Sequence, residues 1–80
     1  MRWWQLLSKV QIDILRHMVE SELFDPMNSR TIRNISKGIN LNYFRVRTNI
    51  QHLFLLGYIK KGYKEKSSET YYLDKEKEWE

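Results

Sequence analysis

The sequence predicts an α+β domain in which three helices are followed by a two-stranded β-hairpin, and three observations carry that prediction. Apolar residues recur at helical spacing over 12–23, 32–35 and 46–53, and each block is bounded by Ser, Asn, Gly or Pro. Two β-prone runs, 58–64 and 70–73, flank a polar turn at 65–69. A single basic tract covers the middle of the chain: over residues 28–66, nine Lys or Arg stand against one acid, Glu65.

Eighty residues make one domain, 1–80, with an apolar N-terminal segment at 1–7 and a charged tail at 74–80. A chain this small buries a marginal core, so a partner copy would add stability. With 41% hydrophobic and 14% aromatic residues the chain is not expected to be disordered. The lack of cysteine excludes a disulfide framework and a thiolate metal site. The longest apolar runs, such as 53–56, are too short to span a bilayer, and 1–7 lacks the apolar region of a signal peptide. A soluble, cytoplasmic protein is therefore expected, with no membrane partner. Residues 1–27 hold three bases and four acids, and 67–80 hold two bases and five acids, so the net +4 conceals a strongly basic centre. Charge concentrated in this way favours nucleic acid, through phosphate neutralisation and counterion release.

Taken in order, Ser8 with Gln11 three residues on has capping-box spacing, which starts a helix near Lys9. Its core stripe is read as Ile12, Leu15, Val19 and Leu23, widened by Ile14 and Met18, and it should end before Pro26. Asn28 and Ser29 supply caps for a short helix at 31–37, with Ile32 and Ile35 inward. Gly38 can end that helix in the left-handed conformation, Ile39 plugs the core, and Asn40 can cap the next helix. That next helix covers 40–56 and is stopped by Gly57. His17 and His52 are lone histidines without a second ligand at metal spacing, and neither is assigned a role.

The helix at 40–56 organises the rest. With Val46 as reference, Ile50 and Leu53 fall within about 40° of it, while Phe44, Thr48, Gln51 and Leu55 fall on the far side. The far face and flanks carry Phe44, Arg45, Arg47, Thr48 and Gln51, and the helix has no acid, the usual partner on a merely solvated face. Such a surface suits a polyanion. Arg can donate bidentately to guanine, and Asn or Gln to adenine, which makes Asn42, Arg45, Arg47 and Gln51 base-reading candidates. Thr48 and the Phe44 ring can meet a thymine methyl. Arg33, Lys37, Lys61, Lys64 and Lys66 are candidates for phosphates, and Tyr43 for either the core edge or a phosphate.

Helix, helix, helix, strand, strand with a basic hairpin is the order of a winged helix-turn-helix. The run TIRNISKGINLNY at 31–43, followed by Val46, Ile50, Leu53 and Gly57-Tyr58-Ile59, resembles the winged-helix DNA-binding proteins, and is similar to the short archaeal ones. SKVQIDILRHM at 8–18 is similar to their first helix, and YYLDKEKE at 71–78 to the strand and turn after their wing. The chain departs from the pattern in lacking glycine at 74–77 and in having no long C-terminal helix, the element through which many relatives dimerise. The resemblance implies that helix 40–56 enters a major groove while the wing at 59–73 touches backbone or minor groove. It points to a small regulator of transcription, archaeal or viral, acting on double-stranded DNA.

The competing reading is a winged-helix adaptor that binds protein in a transcription or replication complex, and Phe44 and Leu55 are the two residues that favour it. RNA is less favoured, because no aromatic platform on a sheet is evident. Catalysis is not expected. There is no cysteine, the histidines lie 35 residues apart without a carboxylate partner, and no glycine-rich phosphate loop occurs. No metal, cofactor or small-molecule ligand is implied. Trp3 and Trp4 read equally as the lid of a small core or as a surface that a second chain covers; a homodimer held by Trp3, Trp4, Leu6 and Leu7 is expected, since aromatic anchors dominate interface energetics and a lone domain reads few base pairs.

Overall fold

Three helices, α1 (Lys9–Glu20), α2 (Ile32–Ile39) and α3 (Tyr43–Leu55), pack against a three-stranded antiparallel sheet in the computed structural model, which describes residues 6–77 and 79. The strands are β1 (Arg30–Thr31), β2 (Ile59–Lys61) and β3 (Thr70–Leu73), in the order β1-β3-β2. This is an α+β, winged-helix-like arrangement, but the sheet has three strands and not the two of the expected hairpin. The hairpin is its β2–β3 part, with Ile59 opposite Leu73 and Lys61 opposite Tyr71. The added strand places Arg30 opposite Tyr71 and Thr31 opposite Thr70. Two residues carry no readable alternation, and what makes them a strand is the open edge of β3 some 40 positions away.

The helix limits are set locally. Ser8 and Gln11 form the capping box, with the Gln11 N–H donating to Ser8 Oγ at 3.3 Å and the Ser8 N–H to Gln11 Oε1 at 3.2 Å. In α1 the fully buried residues are Ile14, Leu15 and Met18, while Ile12 and Val19 are only half-buried. The stripe is thus rotated from the expected one, because α2 and α3 both lean on the Ile14–Met18 side. The helix also stops at Glu20, well before Pro26. Glu22 takes the left-handed conformation (φ 56°), its N–H bonding Val19 O at 3.0 Å while that of Leu23 bonds Met18 O at 3.1 Å. Leu23 and Met18 are buried together across this cap.

Helix α2 is capped by Thr31, whose Oγ1 accepts from the Asn34 N–H at 3.2 Å, and not by Asn28 or Ser29. Ser29 instead packs on the sheet, its Oγ lying 2.8 Å from both Pro26 O and Thr70 Oγ1. Gly38 is not the left-handed residue either; Asn40 is (φ 56°), with its N–H on Lys37 O and that of Leu41 on Ser36 O. Gly38 is used for close approach. A Cβ there would sit 2.5 Å from His17 Nε2 and 2.6 Å from His17 Cε1, so the imidazole of α1 occupies the space a side chain on α2 would need. Since Asn40 ends α2, α3 begins at Tyr43, three residues later than expected, with Asn42 as its cap. Gly57 (φ 87°) closes α3 through Gly57 N–H to Phe54 O and Tyr58 N–H to Leu53 O.

The core joins Ile14, Leu15 and Met18 of α1, Ile32 and Ile35 of α2, Val46, Ile50 and Leu53 of α3, and Ile59, Tyr71 and Leu73 of the sheet. Trp79 of the tail also returns to the body, its Nε1–H donating to Asp74 O at 2.8 Å and its ring lying against Tyr58.

The Gly38 contact predicts that positions 17 and 38 are energetically coupled. In the natural background the imidazole must swing aside to admit the new Cβ, so Gly38→Ala should return less than the roughly 0.5–1 kcal/mol of helix propensity it offers. In a His17→Ala background the same change should stabilise. Urea denaturation of the four proteins checks this, and an equal effect in both backgrounds would remove His17 as the cause.

Candidate nucleic-acid interface

Burying Val46, Ile50 and Leu53 turns the opposite side of α3 outward. Phe44, Arg45, Arg47, Thr48 and Gln51 are all exposed, as the helical period predicts. Arg47 and Gln51 line a cleft between α3, the start of α2 and the wing turn, and Arg33, Tyr43 and Lys66 line the same cleft. Two base-reading candidates and three backbone candidates are thus brought together. Lys37 lies beside a shallower depression, with Arg33, Ser36, Tyr43 and Phe44. Arg45 and Thr48 face solvent outside both.

Asn42 is engaged in capping α3, where its Oδ1 accepts from the Phe44 N–H at 2.9 Å and from the Arg45 N–H at 3.3 Å. The Arg33 guanidinium lies over the Tyr43 ring, 5.8 Å from its centroid, and the Tyr43 and Phe44 rings meet at right angles with centroids 5.3 Å apart. Lys61 lies with Nζ 5.1 Å from the centroid of the Phe54 ring. Lys64 sits 3.9 Å from Glu69, an exposed and loose pair. Among the described residues, Arg33, Lys37, Arg45, Arg47, Lys61 and Lys66 form no ion pair.

The wing turns at Lys66 (φ 48°) and Ser67 (φ 71°), between reciprocal backbone bonds joining Glu65 and Ser68. Positive φ at both central positions is the conformation that keeps a two-residue hairpin aligned with the strand twist. It holds Lys66 at the cleft mouth. Seven cleft residues are not site candidates in the sequence reading: Thr31, Ile32, Asn34, Glu65, Ser68, Glu69 and Tyr71. Their signal is weak, because the cleft exists only once the wing residues are brought against the start of α2. Tyr71 forms its floor, buried at 4% exposure. Burial raises its phenol above the ordinary value, Glu69 and Tyr43 add to the shift and Arg47 opposes it, so Tyr71 stays neutral at neutral pH.

The histidines have structural places. His52 Nδ1 lies 3.5 Å from Gln11 Nε2, linking α3 to the capped end of α1, and His17 packs over Gly38. Of the expected dimer residues, Trp3 and Trp4 lie outside the described residues. Leu6 is 79% exposed and Leu7 packs half-buried against the core. Further exposed apolar groups stand at the end of α3, where Leu55 is 81% exposed beside Leu56 and Phe54.

No family model matches the chain, and no curated protein matches it. Among solved structures it is similar to the solution structure of the DNA-binding TubR fragment from Clostridium botulinum, with a TM-score of 0.72 and 25% sequence identity over 89% of this chain and 88% of that one.

Proposed function

We propose that this protein is a non-catalytic, cytoplasmic double-stranded DNA-binding protein, a small transcriptional regulator of the kind the short archaeal winged-helix proteins exemplify. The observation that carries the reading is the outward face of α3 joined to the wing cleft: Arg33, Arg45, Arg47 and Lys66, none with an acid partner among the described residues, together with exposed Thr48 and Gln51. The likeness to a DNA-binding fragment over nearly the whole chain supports it. In this reading α3 lies in a major groove, where Arg45, Arg47, Thr48 and Gln51 meet base edges. Arg33, Lys37, Tyr43, Lys61, Lys64 and Lys66 meet phosphates, and the wing touches backbone or minor groove. Asn42 presents only its amide nitrogen, its oxygen being committed to the cap. The exposed run Phe54-Leu55-Leu56 favours the second reading, a protein adaptor, because an apolar surface at a helix end suits a protein partner.

Two measurements bear on these readings and a third on the pairing of copies. If about five cations neutralise phosphates, duplex affinity should fall with a log–log salt slope of roughly −4 to −5, at about 0.9 per phosphate; a flat dependence would favour the adaptor. Arg47→Ala should cost about 1–3 kcal/mol and relax preference at particular base pairs, whereas Lys37→Ala should weaken all duplexes alike. Identical profiles would show that α3 does not read bases. Finally, two copies pair through the N-terminal segment in this proposal, so the intact protein should sediment as a dimer at tens of micromolar and the Trp3→Ala, Trp4→Ala double variant as a monomer. A monomeric natural protein refutes the pairing, and a dimeric variant moves it elsewhere on the chain.

A further inference from the structure

Phe44 is an apolar ring set, 66% exposed, at the leading end of α3. Its position is not loose. The Phe44 backbone N–H is held by Asn42 Oδ1 at 2.9 Å. Its ring meets the Tyr43 ring edge-on at 5.3 Å and 89°, and Tyr43 is in turn covered by the Arg33 guanidinium. The surroundings are cationic: Arg33 and Lys37 line the depression beside the ring, Arg45 follows it in the chain, and neither that depression nor α3 contains an acid. Thr48 stands one turn on, outward on the same face.

From this arrangement we infer that Phe44 is a specificity-determining residue that reads the 5-methyl group of a thymine in the major groove. The inference rests on the proposed DNA binding and names what one position of that site recognises. A surface ringed by unpaired cations selects an anionic ligand, so the ring should meet whatever apolar group that ligand offers. The thymine methyl is the apolar group displayed by base edges in the major groove, and an aromatic side chain can pack on it. A ring carried on capped backbone and lying edge-to-face with Tyr43 gives up less freedom in making the contact than an unsupported one, which favours a defined base position over a diffuse one.

The experiment starts from a duplex selected by the natural protein out of a random pool. Each thymine is then replaced singly by deoxyuridine, which removes only the methyl group. One position, or its equivalent in each half-site, should lose about fourfold in affinity, the value for one methyl returned to water. Phe44→Ala should bind the thymine duplex more weakly and show no uracil penalty at that position, while Phe44→Leu should keep part of it. Because the ring is exposed, both variants should retain the natural melting temperature. A natural protein indifferent to uracil everywhere, or a Phe44→Ala protein with an unchanged thymine-to-uracil ratio, overturns the inference while leaving DNA binding intact. Recovery of no duplex by the natural protein overturns the DNA reading and this inference with it.

Discussion

Three side chains on the inner stripe of α3 fix the orientation of everything around them. Val46, Ile50 and Leu53 are fully buried, and each contributes about 1.5–3 kcal/mol of apolar transfer. Rotating α3 by one residue would expose this stripe and bury Arg47 or Arg45, a penalty too large for so small a core to offset. The helix therefore has one orientation about its axis, and the polar and cationic face is outward as a consequence. The same stripe positions the sheet, because Ile59 and Leu73 of the hairpin close the core from the C-terminal side.

Around that stripe the chain is held by a repeated device at helix ends. Glu22, Asn40 and Gly57 each take the left-handed conformation one or two residues past a helix, and each is followed by a residue whose N–H returns to a carbonyl of the last turn. Leu23, Leu41 and Tyr58 are thereby turned back onto the core. The exits of α1, α2 and α3 become fixed directions. Only glycine adopts this conformation without strain, so Glu22 and Asn40 are held there by the packing that follows them.

The cleft between α3 and the wing is where these constraints meet chemistry. Arg33, Arg47 and Lys66 reach it from α2, α3 and the wing turn, and Glu65 and Glu69 enter from the wing. Those two acids temper the cation density at one edge, while the Phe44 side of α3 has none. The interface is thus asymmetric along α3. Its N-terminal half is cationic and aromatic, and its C-terminal end turns apolar at Phe54, Leu55 and Leu56.

Whatever depends on period and on near neighbours is legible in the chain alone. The Ser8–Gln11 capping box, the inner stripe of α3, its outward Phe44, Arg47, Thr48 and Gln51, the stop at Gly57 and the strand at Thr70–Leu73 all follow from spacings of a few residues. Features that need distant partners emerge only on folding. Arg30 and Thr31 are a strand because the edge of β3 is there to pair with. Gly38 stays inside α2 while Asn40 takes the turn, and the imidazole of His17, brought over from α1, fills the space a side chain at 38 would need. With the turn at Asn40, α3 starts at Tyr43 and Asn42 becomes its cap, its side-chain oxygen committed to the Phe44 and Arg45 N–H groups. The physical reason is common to all three: a helical period repeats within the chain, whereas a pairing edge or a close approach is supplied by residues whose proximity only folding creates.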